Sequence, residues 1–120
     1  METSRFDAKV RHRAGVAVID LAGDIDKEAD DAMSAAYTEA ASREPATILL
    51  NFDAVDYINS TGIALIVGLL ARARKDGGTV VSCGLSDHYQ EIFEITRLAD
   101  FMRMFPDEES AVAEAPAAAP

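Results

Sequence analysis

Two short, nearly unbroken apolar runs constrain this chain most: Thr47-Ile48-Leu49-Leu50-Asn51-Phe52 and Thr79-Val80-Val81-Ser82-Cys83. A strand that is apolar at consecutive positions leaves no face for water, so each run is expected to be buried on both sides, as in a parallel sheet covered by helices. Between them the period changes. Ile63, Ile66, Val67 and Leu70, widened by Leu65 and Leu69, recur at helical spacing, and Arg72, Arg74 and Lys75 crowd the negative end of that helix. Gly77-Gly78 supplies the turn that stops it.

The flanking segments continue the alternation. From Arg5 to Arg13, Phe6, Ala8 and Val10 alternate with Asp7, Lys9 and Arg11, as in a half-exposed edge strand. Val16 to Leu21 reads as a second strand pairing with the first in a hairpin, and Gly23-Asp24-Ile25-Asp26 as a tight strand-to-helix connection. Ala29, Met33, Ala36 and Ala40, with Tyr37, predict a helix from Lys27 to about Ser42, capped by Asp26 and ended before Pro45. Ser86 can cap a third helix with Tyr89, Ile92, Phe93 and Ile95 on its apolar side. Met102 to Phe105 is a last short strand, and Pro106-Asp107-Glu108-Glu109 opens a short acidic helix. The order β-β-α-β-α-β-α-β-α predicts a single α/β domain over residues 1–114: a mixed sheet with a leading β-hairpin and helices packed over it. Residues 115–120 are expected to form a flexible Ala/Pro tail.

Charge and residue inventory exclude several functions. With 21 acids against 11 Lys and Arg, the formal charge of -10 repels nucleic-acid phosphates and anionic membrane surfaces. Four of the acids, Asp107, Glu108, Glu109 and Glu114, read as charge carried by a terminal appendage. Cys83 is the single cysteine, so no internal disulfide forms, and with two histidines the chain lacks a structural zinc set. The N-terminal residues have no apolar stretch and no run approaches the roughly 18 apolar residues of a span, so a cytoplasmic protein is expected, neither exported nor inserted. His12 and His88 read as exposed polar residues and Cys83 as a small buried hydrophobe, which leaves nucleophile-plus-base catalysis unsupported. No phosphate-binding glycine loop is present, and neither cofactor nor metal is expected.

Two constellations remain. Asp53, after Leu49-Leu50-Asn51-Phe52, resembles the phosphoacceptor of a two-component receiver domain, with Asp24 and Asp26 as the acid pair for Mg²⁺. That reading lacks a lysine after a late strand, since the last is Lys75 on the middle helix, and it does not suit a leading hairpin. The other is Tyr57-Ile58-Asn59-Ser60-Thr61-Gly62-Ile63-Ala64-Leu65. Read plainly, Ser60 or Thr61 caps a helix, contributing roughly 1 kcal/mol. Gly62 in a first helical turn costs up to about 1 kcal/mol relative to Ala, so Ser-Thr-Gly points to a small hydroxyl surface that something approaches closely.

Here the chain resembles the STAS family, and specifically the anti-sigma factor antagonists of bacterial partner-switching pathways. Asn59-Ser60-Thr61-Gly62 is similar to the family's Asp-Ser-Ser/Thr-Gly site, Gly23-Asp24-Ile25-Asp26 to its Gly-x-Leu-Asp, and Ile92-Phe93-Glu94-Ile95-Thr96-Arg97-Leu98 to its Leu-Phe-x-x-(Ser/Thr)-Gly-Leu segment. The resemblance implies a non-enzymatic switch phosphorylated at Ser60, with Thr61 the secondary acceptor. A partner serine kinase of the histidine-kinase-like fold, itself the anti-sigma factor or an analogous regulator, would supply ATP, Mg²⁺ and the base, and a PP2C-type phosphatase would reverse the step. Unphosphorylated protein would bind the kinase and free its target, through a surface including Asp24, Asp26, Asn59, Ser60, Thr61 and Gly62. Asp26 has the plainer reading of a helix cap. Asn59 replaces the commoner Asp, and Arg97 stands where a Gly often sits. The alternative within the family is a STAS scaffold or accessory subunit of a sensory or lipid-transport assembly that works without phosphorylation. No long exposed apolar stripe asks for a stable dimer, so a monomer or weak homodimer is expected.

Overall fold

The computed structural model describes residues 6–115; Arg5 and the tail beyond Ala115 lie outside them. Strands β1 (Asp7–Arg13) and β2 (Val16–Ile25) form the expected antiparallel hairpin, closed by Ala14 and Gly15, both at positive φ. Helix α1 (Asp30–Ala41), β3 (Thr47–Ile58), α2 (Ser60–Lys75), β4 (Thr79–Cys83), α3 (Asp87–Ile95), β5 (Arg103–Phe105) and α4 (Glu108–Glu114) follow, with short 3-10 turns at Lys27–Ala29 and Leu98–Asp100. The sheet order is β1-β2-β3-β4-β5, and β2 to β5 are parallel.

Sequential parallel strands joined by right-handed crossovers send each connecting helix to the same face. Side chains alternate between the faces along each strand. Ala17, Ile19, Leu50, Phe52 and Val80 therefore share one core with Met33 and Tyr37 of α1, Ile66 and Leu70 of α2 and Phe93 of α3. Val16, Val18, Leu49, Val81 and Cys83 point the other way and are covered by Ala111 and Val112 of α4. Tyr89, Ile92 and Phe93 face the core side as expected, but Ile95 is 71 % exposed. It stands two residues after Phe93, which on a helix is nearly the opposite side.

Two strands run further than their apolar patterns. β2 continues through Gly23-Asp24-Ile25, where a connection is expected from the sequence, and β3 continues through Asp53 and Asp56 to Ile58. β4 pairs with β3 only as far as Asn51, while β2 stays paired to Ile58 through two register shifts. Backbone pairing holds these extensions, and apolar alternation cannot reveal it.

The terminal helix is part of the domain and not an appendage. Asp107 caps it, accepting from the Ser110 N–H at 2.8 Å, and Glu108 bridges Arg11 and Arg13 of β1. Arg11 also pairs with Asp20, which accepts from Asn51 Nδ2 at 2.8 Å. Hydrogen bonds from Arg11, then Arg13, hold the Glu108 carboxyl down to about 2, and Arg11 likewise lowers Asp20. A carboxyl held below its ordinary value stabilises the fold fully above that value and stops doing so as pH falls through the lowered one. The α4 contact should therefore weaken between pH 4.5 and about 2, seen as rising amide exchange along α4. Glu108→Gln should cost about 1–2 kcal/mol at neutral pH and flatten that acid loss; the partial exposure of both arginines keeps the figure low.

Candidate functional site

The β3 extension carries Asn59 and Ser60 to the end of β2. Ile58 and Ile25 are register partners, and the next residue's backbone N–H, that of Asn59, donates to the Ile25 carbonyl at 3.2 Å. Asn59 has extended backbone, and its Oδ1 accepts from the Gly62 N–H at 2.8 Å while its carbonyl accepts from Ile63 N at 2.9 Å. The helix cap is therefore Asn59, correcting the assignment of that role to Ser60 or Thr61. Asn ranks with Asp and Ser at such positions, so the signal was present in the sequence one residue earlier. Loss of this cap in Asn59→Ala should cost about 1 kcal/mol in chemical unfolding, and Asn59→Asp should stay within about 0.5 kcal/mol of the parent.

With capping assigned to Asn59, both hydroxyls are released. Ser60 is the first residue of α2; it and Thr61 are exposed, and neither side chain has a hydrogen-bond partner among the described residues. The first N–H groups of a helix have no intrahelical acceptor; Asn59 takes that of Gly62, and those of Ser60 and Thr61, at the positive end of the dipole, have no acceptor among the described residues.

Gly62 has a different reason from the one its neighbours suggest. It is buried, and a Cβ there would overlap the Ile25 carbonyl oxygen and lie 2.7 Å from its carbon. The close approach is internal, between α2 and the end of β2. The same approach aligns Asp24 with Tyr57 and Ile25 with Ile58, so that Asp26 follows one strand end and Asn59 the other. Asp26 accepts from the Glu28 N–H at 2.9 Å as cap of the Lys27–Ala29 turn, and both acids are half-buried. Residues nearly forty positions apart thus form one surface.

Other candidates separate from this surface. Asp53 lies inside β3, five residues before its end, where a receiver's acceptor would close the strand. His12 on β1 and His88 on α3 are exposed. Burial first, then the nearby Asp53 carboxylate, pushes the Cys83 thiol up to about 12, so it stays protonated and unreactive at neutral pH. Arg97 has φ 68°, the left-handed conformation that a glycine adopts without strain, and binds Asp100 at 2.8 Å.

The STAS domain model matches residues 7–111. The chain belongs to the STAS domain family. An anti-sigma F factor antagonist from Paenibacillus polymyxa is 22% identical over 107 residues, covering 88% of this chain and 92% of the relative. An anti-sigma-B factor antagonist from Staphylococcus aureus is 37% identical over 57 residues, 48% of this chain and 53% of that one. The crystal structure of an anti-sigma factor antagonist from Mycobacterium paratuberculosis superposes with a TM-score of 0.80 at 18% identity, covering 92% and 94% of the two chains. A Bacillus cell fate determinant solved in its phosphorylated form gives 0.68 at 22% identity, covering 93% and 100%. No helix among the described residues of this STAS domain is long and apolar enough to cross a membrane.

Proposed function

We propose that this STAS domain is a cytoplasmic anti-sigma factor antagonist switched by phosphorylation of Ser60. The observation that carries the reading is the exposed Ser60 hydroxyl, without a hydrogen-bond partner among the described residues, at the first position of a helix capped by its neighbour, in a chain whose relatives include proteins named anti-sigma factor antagonists. A histidine-kinase-like anti-sigma factor transfers the γ-phosphoryl group of ATP to Ser60 Oγ; the hydroxyl proton passes to a base of the kinase, and ADP leaves. A PP2C-type phosphatase hydrolyses the ester. This chain contributes no catalytic group, and its part is to present the hydroxyl and the surface from Asp24 and Asp26 to Asn59, Ser60 and Thr61. Gly62 contributes by letting β2 and α2 meet. Unphosphorylated protein holds the kinase and frees its target.

Incubation with ATP, Mg²⁺ and the cognate kinase, followed by phosphosite mapping, tests the assignment. Label on Ser60 that disappears in Ser60→Ala is expected. Label that persists unchanged in that variant, on Thr61 or elsewhere, rejects Ser60 as the acceptor. Absence of label on any residue favours the scaffold role.

A further inference from the structure

An apolar groove borders the second half of α2, away from the phosphoacceptor. Val67, Leu70, Ala71 and Arg74 of α2, Val80 of β4 and Phe101 after the Leu98–Asp100 turn line an open cavity of about 360 Å³, within the size range of ligand clefts. Val67 is 48 % exposed and Phe101 62 %, so large apolar surface stands in water at its rim. The Arg74 guanidinium sits 6.0 Å from the centre of the Phe101 ring, and no carboxylate pairs with it among the described residues.

We infer that this groove is a second anchor for the partner kinase. It takes an aromatic or branched aliphatic side chain between Val67 and Phe101, with a carboxylate of the same partner segment on Arg74. The partner's identity rests on the proposed function; the chemistry rests on the groove. An unpaired cation in an apolar lining selects an anion carried beside an apolar group. A free small molecule would leave the exposed edges of Val67 and Phe101 wet, whereas a protein surface covers both. Val67 follows Ser60 by seven residues, roughly 10.5 Å along α2 and on nearly the same face, so one partner reaches both. That separation exceeds the roughly 8 Å screening length at physiological salt. Phosphate on Ser60 therefore leaves the groove contact in place, and the phosphorylated protein keeps a residual affinity set by Phe101 and Arg74.

Calorimetric titration of the kinase with Phe101→Ala and Arg74→Glu, in the parent and in Ser60→Asp, tests this. Each groove substitution should weaken binding about tenfold or more, by the same factor in both backgrounds. Binding of Phe101→Ala within about twofold of the parent overturns the anchor, and a factor that vanishes in Ser60→Asp overturns its independence of the switch. Phe101 is mostly exposed, so its removal should leave thermal unfolding unchanged. If the kinase fails to bind the parent protein, the proposed function falls and 3-phenylpropionate, an aromatic carboxylate, judges the groove alone by NMR. Shifts centred on Val67, Leu70 and Phe101 and lost in Arg74→Ala support it; none up to about 10 mM overturns it.

Discussion

Gly62→Ala is expected to destabilise the domain by about 2–4 kcal/mol, the range of a severe overpacking change. The added methyl would lie inside the Ile25 carbonyl, and that group cannot yield as a flexible side chain would. It belongs to β2 and accepts the Asn59 N–H at 3.2 Å, so clearance requires α2 to lift from the sheet and break the bond that sets Ser60 in position. Gly68 on the same helix is the internal control. A Cβ there meets nothing within 4 Å, so Gly68→Ala should gain up to about 1 kcal/mol from helix propensity alone. Urea unfolding of the two variants thus gives opposite signs. A Gly62→Ala change smaller than about 0.5 kcal/mol would show that the start of α2 is not held against β2.

Phosphoserine at position 60 is expected to weaken kinase binding more than a hundredfold, a change of roughly 3 kcal/mol, and to leave thermal unfolding nearly unchanged. The modification adds about -1.5 to -2 charge and a tetrahedral group to a surface whose docking side chains at that point are small. Within the protein the same charge is favourable, because a helix N-terminus, with its first N–H groups lacking intrahelical acceptors, stabilises an anion. Asn59, neutral where the motif it resembles has Asp, avoids a like-charge repulsion next to it. Phosphoserine incorporated during translation gives uniform protein for calorimetry and melting curves. Equal affinity of the two forms would remove the switch. A large drop in melting temperature would instead assign the effect to unfolding.

How much of this was legible in the chain differs between elements for physical reasons. The apolar runs of β3 and β4, the Asp26 and Ser86 caps and the leading hairpin all depend on local patterning, and each lies where its residues predict; the period of α2 does so too for Ile66, Leu69 and Leu70, while Val67 at the edge of that face is 48 % exposed. The added lengths of β2 and β3 are less visible, because polar residues are held there by backbone pairing across a sheet neighbour. Ile95 misleads a count of apolar residues, since helical phase relative to Phe93 decides its side. The acids of α4 resemble a solvated tail until Arg11 and Arg13, nearly a hundred residues earlier, are brought alongside.

The site divides in the same way. By itself the sequence determined the residue types: two adjacent hydroxyls, an amide before them and a glycine after. Only the tertiary structure decided their roles. Asn59 takes the cap, Ser60 and Thr61 are left with hydroxyls that have no partner among the described residues, and Gly62 is required by a carbonyl 37 positions earlier in the chain. A side chain's chemistry is local, whereas what it must avoid or bind is set by the neighbour that folding brings to it.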